Sequence, residues 1–224
     1  MAAEVAIVIP AYNEAGRISN VLRAAVDAKL AAEVIVVCDG CEDNTAEVAR
    51  RFPGVRVKEL LANQGKGAAM AAGVAATQSR IIAFVDADLL GLHADHIDGI
   101  IKPLLENRAD MCVGVFRGGK YWSDTAQKIS PYLSGQRAIR RELFEAVPFA
   151  SELRLGIEVA LNTTARRRKA RILRVVLRGV SNCHKEQKLG LVKGTAARAK
   201  MYVEIGQAMV KTRKRRKKRR VPWL

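Results

Sequence analysis

The feature that most constrains the fold is a regular alternation of apolar runs and amphipathic segments over the first 90 residues. VAIVI at 5–9, VIVVC at 34–38 and IIAFVDAD at 81–88 are rich in β-branched residues, which is typical of buried strands. Segments with helical spacing of apolar residues separate these runs. The alternation predicts an α/β fold with right-handed crossovers and a mostly parallel, Rossmann-like sheet flanked by helices.

The same patterns give approximate bounds for the individual elements. Asn13 is expected to cap a helix that begins at Glu14, and Asp43 or Asn44 is expected to cap a second helix. The other predicted elements are strands at 55–60, 111–116 and 171–177, an Ala-rich helix at 65–78, a loop running into a helix at 131–147, and an amphipathic helix at 195–210.

Length and charge indicate one domain followed by a basic tail. A chain of 224 residues suits a single domain, which we expect at 1–210, with a first half at 1–90 and a second half at 91–210. The tail at 211–224 begins with KTRKRRKKRR, which supplies nine positive charges of the net +17. The rest of the chain is therefore basic as well, and we expect its partners to be anionic.

Two features of the sequence bear on its location in the cell. No run approaches the ~18 apolar residues that a membrane-spanning helix needs. The beginning, MAAEVAIVIP, has no basic region, and Glu4 and Pro10 interrupt its apolar stretch, so we do not expect a signal peptide. These observations predict a cytoplasmic protein, in which the single C-x-x-C at 38–41 contains reduced thiols.

Two acidic residues, Asp86 and Asp88, end the run at 81–88. In a strand, side chains two residues apart point the same way, so the two carboxylates would lie close together. Two like charges at such a short distance are unfavourable unless a cation lies between them. Mg²⁺ or Mn²⁺ would stabilise such a pair and would also bind the phosphate oxygens of a substrate. The residues alone leave this interpretation and that of two solvated acids equally open.

Other polar segments follow the first two strands or precede the Ala-rich helix. Ligands of open α/β sheets bind beyond the carboxyl ends of the strands, so these segments are candidates for a nucleotide or its phosphates. Ordinary turns would explain each segment taken separately. The candidate residues are Pro10, Ala11, Tyr12, Asn13 and Glu14 after the first strand, Asp39 and Gly40 after the second, and Lys66 before the helix.

Taken together, IVIPAYNEAGRI, VIVVCDGCEDNTAEVA, NQGKGAAMAAGVAAT and IIAFVDADL resemble the family-2 glycosyltransferases in order and spacing. The resemblance covers roughly residues 4–90. It implies the GT-A nucleotide-diphospho-sugar transferase fold, a donor such as a UDP- or GDP-sugar, and a D-x-D motif that holds Mg²⁺ or Mn²⁺ with the donor's diphosphate.

The second half narrows this resemblance to the group of the glucosyl-3-phosphoglycerate synthases, through SGQRAIRRELFEAVPF, LGIEVALN and VSNCH. The group's pattern implies that Asp86, Asp88 and His184 bind the metal. It also implies that Glu158 lies at the active site, where we name Asp88 and Glu158 as the catalytic residues, and that Lys66 lies near the donor. The group's acceptor loop is not recognisable in FRGGKYWSDTAQKIS, which leaves the acceptor open.

These patterns predict a metal-dependent hexosyltransferase that is either retaining or inverting, with an anionic acceptor such as 3-phosphoglycerate or polyprenyl phosphate. Arg137, Arg140 and Arg141 are expected near that acceptor. The basic tail is expected to contact anionic membrane peripherally, at its inner face, rather than nucleic acid, and the sequence leaves room for a homodimer. The alternative is a non-catalytic basic protein that docks on membrane or nucleic acid.

Overall fold

The structure is a computed structural model that describes residues 4–117, 134–148, 150–153 and 156–182. His184, the helix expected at 195–210 and the basic tail at 211–224 lie outside the described residues.

The strands of the described residues form one large sheet and one small sheet. In the large sheet the order is β3-β2-β1-β4-β7-β6-β8, and the small sheet pairs β5 with β9. The strands are β1 (Val5–Ala11), β2 (Glu33–Asp39), β3 (Val55–Leu60), β4 (Ile81–Phe84), β5 (Leu89–Leu90), β6 (Met111–Arg117), β7 (Arg137–Arg140), β8 (Ile172–Arg178) and β9 (Ser181–Asn182).

Helices cover both faces of the large sheet, as the alternation of the sequence predicts. They are α1 (Ile18–Val26), α2 (Thr45–Arg50), α3 (Lys66–Ala75), α4 (Ala94–Leu105), α5 (Arg141–Glu145) and α6 (Ile157–Arg167), with a short 3₁₀ helix at Ala150–Glu152. Among the helices of the described part of the chain, none combines the length and the apolar character that a membrane-spanning segment requires.

The two faces of β1 show how the sheet divides the core. Because side chains alternate along a strand, Ile7 and Ile9 point to the face that packs against α1 and α4, whereas Ala6 and Val8 point to the face that packs against α3 and α6. All four side chains are fully buried. An uninterrupted apolar run of this kind fits a strand that is covered on both sides, which confirms the predicted layers.

One strand of the large sheet runs against the others. β7 is antiparallel to β4 and to β6, whereas the other neighbouring strands are parallel. Arg137 is opposite Phe84, the last residue of β4, and Arg140 is opposite Ile81, the first. The beginning of β7 therefore lies at the edge of the sheet where the parallel strands end.

The prediction for 131–147 was wrong in one respect, because a strand precedes the helix within that segment. RAIR is only four residues long and has a charged residue at each end, so neither its length nor its alternation distinguishes it from a loop. Its two middle residues, Ala138 and Ile139, are fully buried between β4 and β6, and tertiary pairing determines the strand.

Two local predictions were also wrong. β4 ends at Phe84, so Asp86 and Asp88 lie in the turn that follows and do not share a strand face. Asn13 does not cap α1, which begins at Ile18; its backbone is left-handed (φ 54°) and its side chain accepts a hydrogen bond from the backbone N–H of Glu42.

Arg140 and Arg141, which were expected close to the SGQ loop and the acceptor, lie instead at the opposite edge from the end of β4. Arg141 donates hydrogen bonds to the carbonyls of Val74, Thr77 and Ser79, and so satisfies backbone acceptors that follow or end α3. Arg140 donates to Asp110 and Asn107. Both arginines therefore stabilise the fold at this edge.

Asp110 joins three segments at this same edge. It accepts hydrogen bonds from the backbone N–H and the guanidinium of Arg171, at 2.8 Å each, and from Arg140 at 3.3 Å. The hydrogen bonds from Arg171 lower the pKa of Asp110 to about 2. A carboxylate whose pKa is depressed in the folded state stabilises that state above its ordinary pKa.

We expect Asp110→Asn to lower the free energy of unfolding at neutral pH by about 1 kcal/mol, a modest value because the ion pair is partly solvated. The loss should be constant above the ordinary carboxyl pKa and should shrink as the pH falls from about 4 to about 2, where wild-type Asp110 becomes protonated. Urea denaturation at several pH values measures it. A difference from wild type that stays constant down to pH ~2 would contradict the role given to Asp110.

Candidate active site

The candidate site lies at the edge where the parallel strands end. Loops after β1, β2 and β4 meet there with the beginning of β7 and the first turn of α6. The structure brings together Lys66, Asp86 and Glu158 from the residues that the sequence nominates. Asp39 contacts the two residues that precede Lys66. The 10–14 segment packs against the loop after β2.

Asp39 fixes the chain just before α3. Its two carboxylate oxygens accept hydrogen bonds from the backbone N–H groups of Gln64 and Gly65, at 2.8 and 2.7 Å. Gly65 has a positive φ of 99°, a conformation that favours glycine, and α3 begins at the next residue. Asp39 at the end of β2 therefore determines where Lys66 begins the helix.

A second contact clamps the first turn of α3 from the other side. The backbone N–H of Gly67 donates to the carbonyl of Leu153 at 2.9 Å. A Cβ at Gly67 would collide with that carbonyl and with the carbonyl of Ala150. The absence of a side chain at Gly67 thus permits the 3₁₀ segment to approach α3. The residues on both sides of Lys66, Gly65 and Gly67, are therefore each fixed by a backbone hydrogen bond.

Lys66 bridges two carboxylates from distant parts of the chain. Its Nζ lies 2.7 Å from Oδ1 of Asp86 and 2.7 Å from Oε1 of Glu158. Burial by itself would lower the pKa of Lys66, but the two negative charges raise that pKa above its ordinary value. The ammonium is therefore charged at any physiological pH and neutralises part of the acidic charge of the site.

Asp86 is held on both of its oxygens. Lys66 binds Oδ1, and the side-chain amide of Gln136 donates to Oδ2 at 2.8 Å. Burial by itself would raise the pKa of Asp86, but the charge of Lys66 and these hydrogen bonds lower it. Asp86 is thus an ionised carboxylate of fixed orientation.

Gly135 makes room for this ion pair. A Cβ built at Gly135 would lie within 3.0 Å of both the Asp86 carboxylate and the Lys66 ammonium. Any other residue at this position would displace the pair or the loop. Gly135 and Gln136 were missed as site residues by sequence reasoning, and the SGQ motif directly before the β7 strand was the available signal.

The loops after β1 and β2 form a cross-linked unit. Pro10 and Ala11 still belong to β1, and Tyr12 and Asn13 follow with Tyr12 exposed over 44% of its surface. Besides the bond between Asn13 and Glu42, the backbone N–H of Glu14 donates to the hydroxyl of Thr45 at 2.8 Å. The outer rim of the site is therefore built from both loops.

Gly40 at the end of β2 makes this turn possible. It has a positive φ of 65°, and a Cβ there would collide with the backbone of Ala62 and Asn63. Gly40 therefore lets the loop after β2 pack directly on the loop after β3.

Asp88 is half-buried in the turn after β4, directly before β5. Leu89 in β5 pairs with Asn182 in β9, so the end of the described chain lies beside Asp88. Within residues 4–117, 134–148, 150–153 and 156–182, no group of three or more potential metal ligands is present. A metal bound by Asp88 would need a further ligand from elsewhere, and the predicted ligand His184 lies outside the described residues.

Comparison with known proteins identifies relatives of this chain. The family described as "Glycosyl transferase family 2" matches residues 6–162. A dolichyl-phosphate beta-glucosyltransferase of Trichomonas vaginalis is 39% identical over 94 residues, which are 36% of this chain and 28% of that protein. A 4,4'-diaponeurosporenoate glycosyltransferase of Staphylococcus aureus is 37% identical over 101 residues, which are 43% of this chain and 27% of that protein. The matches thus span less than a third of these curated relatives.

Solved structures match over most of the chain. A glucosyl-3-phosphoglycerate synthase of Mycobacterium tuberculosis with Mn²⁺, UDP and phosphoglyceric acid superposes with a TM-score of 0.74 at 25% identity, covering 93% of this chain and 78% of the synthase. The same enzyme with Mn²⁺, UDP and glucosyl-3-phosphoglycerate gives 0.69 at 26% identity, covering 91% and 80%. These matches confirm the predicted GT-A fold and the predicted resemblance.

Gly135→Ala is expected to break the contact between Lys66 and Asp86, because the added methyl group occupies the space between the loop and the ion pair. Overpacking of this kind costs about 1–3 kcal/mol of folding free energy. Thermal unfolding measures the loss, and Gly16→Ala is the matched control, since a Cβ there meets nothing within 4 Å. Equal stability of the two variants would show that the close approach of Gly135 is unimportant.

Proposed function

The chain belongs to glycosyl transferase family 2, and from that membership we propose that it transfers a sugar from a nucleotide-diphosphate donor, with a divalent metal, to an anionic acceptor. The observation that carries this proposal is the bridge of Lys66 between Asp86 and Glu158 at the edge where the parallel strands end. Open α/β sheets bind their ligands at this edge.

The donor's diphosphate is proposed to bind at the start of α3. Lys66 is the first residue of this ten-residue helix, so the positive end of the helix dipole lies beside the ion bridge. The helix end favours a phosphate group, and the divalent metal would offset the negative charge that remains when Lys66 pairs with both Asp86 and Glu158. Asp39 and the 10–14 segment border the same region, which supports their assignment to the nucleoside part of the donor.

The D-x-D pattern assigns the metal to Asp86 and Asp88, with Asp88 as the carboxylate that contacts Mg²⁺ or Mn²⁺ directly. The contacts of Lys66 and Gln136 hold Asp86 in a fixed orientation beside that metal. β9 leads toward Asp88, and His184 is the second residue after that strand, which supports His184 as another ligand. When bound, the ion supplies positive charge that stabilises the departing nucleotide diphosphate.

Glu158 has an orienting role in this proposal. One of its oxygens is held by Lys66, so the carboxylate is fixed relative to Asp86 before any substrate binds. Fixed charges and hydrogen-bond acceptors of this kind position a reacting hydroxyl without reorganisation during the reaction.

The acceptor is proposed to carry a phosphate. Two groups of relatives support this: glucosyltransferases named for dolichyl phosphate, and a synthase crystallised with phosphoglyceric acid. Polyprenyl phosphate and 3-phosphoglycerate are accordingly the two candidates. The body of the chain is basic, but Arg140 and Arg141 do not support either candidate because they lie at the opposite edge.

Donor hydrolysis tests the proposed function without knowledge of the acceptor. We expect the full chain with Mn²⁺ to split a UDP- or GDP-sugar slowly, and Asp88→Ala to abolish this turnover while the fold persists. Asp27→Ala, an exposed acid at the end of α1, is the matched control and should retain activity. Release of nucleotide diphosphate measures the rate, and circular dichroism reports the fold. Near-full activity of Asp88→Ala would remove Asp88 from the site.

Failure of the wild-type chain to bind or split any nucleotide sugar would favour a non-catalytic basic protein. Thermal shift with and without Mn²⁺ separates binding from turnover, because a ligand that binds the folded state raises its apparent stability.

We propose a cytoplasmic enzyme whose tail contacts the membrane, on sequence grounds alone: nine basic residues at 211–220 precede Trp223 and Leu224. Each Lys or Arg near an anionic leaflet contributes about 1 kcal/mol. We expect the full chain, but not a chain truncated after Val210, to co-sediment with anionic vesicles at physiological salt. Neutral vesicles are the control. Equal sedimentation of the two chains would favour the soluble acceptor.

A further inference from the structure

Arg137 is the least expected charged residue near the site. It begins β7 and is fixed on both sides, opposite Phe84 of β4 and Val113 of β6. Its side chain is fully buried, with 0% relative exposure. Because its side chain is so enclosed, the structure gives no support to the expectation that Arg137 contacts the acceptor.

Among the described residues, the guanidinium has neutral hydrogen-bond partners only. It donates to Oδ1 of Asn162 at 3.3 Å and to the carbonyl of Ser134, and its buried Nε finds no hydrogen-bond partner in the same part of the chain. None of the described residues forms an ion pair with it. Replacing a buried charged side chain by an apolar one of similar volume often leaves the folded state as stable or makes it more stable. Stability of the fold therefore does not explain why an arginine occupies this position.

The negative charges of the site offset part of the cost of burying Arg137. Burial lowers the pKa of Arg137, and the negative charges of Glu158 and Asp86 oppose that shift. Asn162, the partner of the guanidinium, lies one helical turn after Glu158, on the same face of α6. One face of α6 therefore meets both cations, Lys66 at Glu158 and Arg137 at Asn162.

We propose that Arg137 is a positioning residue for the proposed transferase reaction, acting through Glu158. Through Asn162 it ties α6 to the rigid centre of the sheet, and through its charge it attracts Glu158 toward the Lys66 bridge. The kinetic test of this inference rests on the proposed function. The coupling between Arg137 and Glu158 does not, and it can be measured without enzymatic activity.

A double-mutant cycle between Arg137→Met and Glu158→Gln tests this coupling. We expect Arg137→Met to reduce the turnover rate for donor cleavage roughly ten- to a hundredfold, since small misplacements at a reacting centre have effects of this size. In the Glu158→Gln background the same change should reduce the rate less than about twofold, because the group through which Arg137 acts is already altered. Arg137→Lys, which keeps the charge, should restore part of the rate.

Arg141→Met is the matched control, because Arg141 directly follows β7 but binds backbone carbonyls at the opposite edge. It should lower the melting temperature and should act equally in both backgrounds. Equal, additive effects of Arg137→Met in both backgrounds, as for the control, would overturn the proposal and leave Arg137 a purely structural residue.

The same cycle is also measured by urea denaturation, which needs no enzymatic activity. Non-additive free energies of unfolding would support the coupling between Arg137 and Glu158 even if no donor is cleaved, whereas additive ones would overturn it. If Arg137→Met does not fold, Arg137→Gln, which removes the charge but keeps a polar side chain, replaces it in both measurements. Additive behaviour of that variant in turnover and in unfolding would likewise overturn the proposal. Absence of donor cleavage in the wild-type chain would instead count against the proposed function.

Discussion

The ion bridge formed by the Lys66 ammonium holds the candidate site together. A carboxylate that is mostly removed from solvent is unfavourable without a partner, so a cation between Asp86 and Glu158 stabilises both. That cation must be placed within hydrogen-bond distance of both groups, although they belong to segments far apart in the chain. The contacts of Asp39 with the 64–65 backbone and of Gly67 with Leu153 meet this requirement. The contacts at the start of α3 thus determine the position of Nζ of Lys66.

The reversed direction of β7 explains the second half of the site. In a sheet with only parallel strands, the residues before β7 would lie at the opposite edge from the end of β4. Because β7 is antiparallel, Gly135 and Gln136 meet Asp86, and the residues that follow are carried away from the site. One strand direction therefore separates the arginines by role: Arg137 lies beside the charged cluster, whereas Arg140 and Arg141 stabilise the far edge.

The sequence predicted those parts of the molecule that depend on local patterns. The apolar run of β1 and the glycines around Lys66 indicated a strand and a phosphate-binding helix start, and both the strand and the helix are present. Arg140 and Arg141 were misassigned because closeness in sequence to the SGQ motif suggested closeness in space. The strand direction that separates them from that motif depends on pairing with β4 and β6, which no local pattern encodes. Gln136 was overlooked for the same reason, since its partner is 50 residues away.

The bridge also has a consequence for how the protein forms on the ribosome. Synthesis adds about 5–20 residues per second, and the N-terminal part of a chain can begin to collapse before the rest exists. β1, β2, β4 and α3 are complete well before α6, so Lys66 and Asp86 can meet without Glu158. A nascent chain at that stage has four adjacent parallel strands, and the edge of β4 that later pairs with β7 is uncovered. Until β7 emerges, the unpaired backbone N–H and C=O groups along this edge of β4 are a template for wrong pairing with another chain.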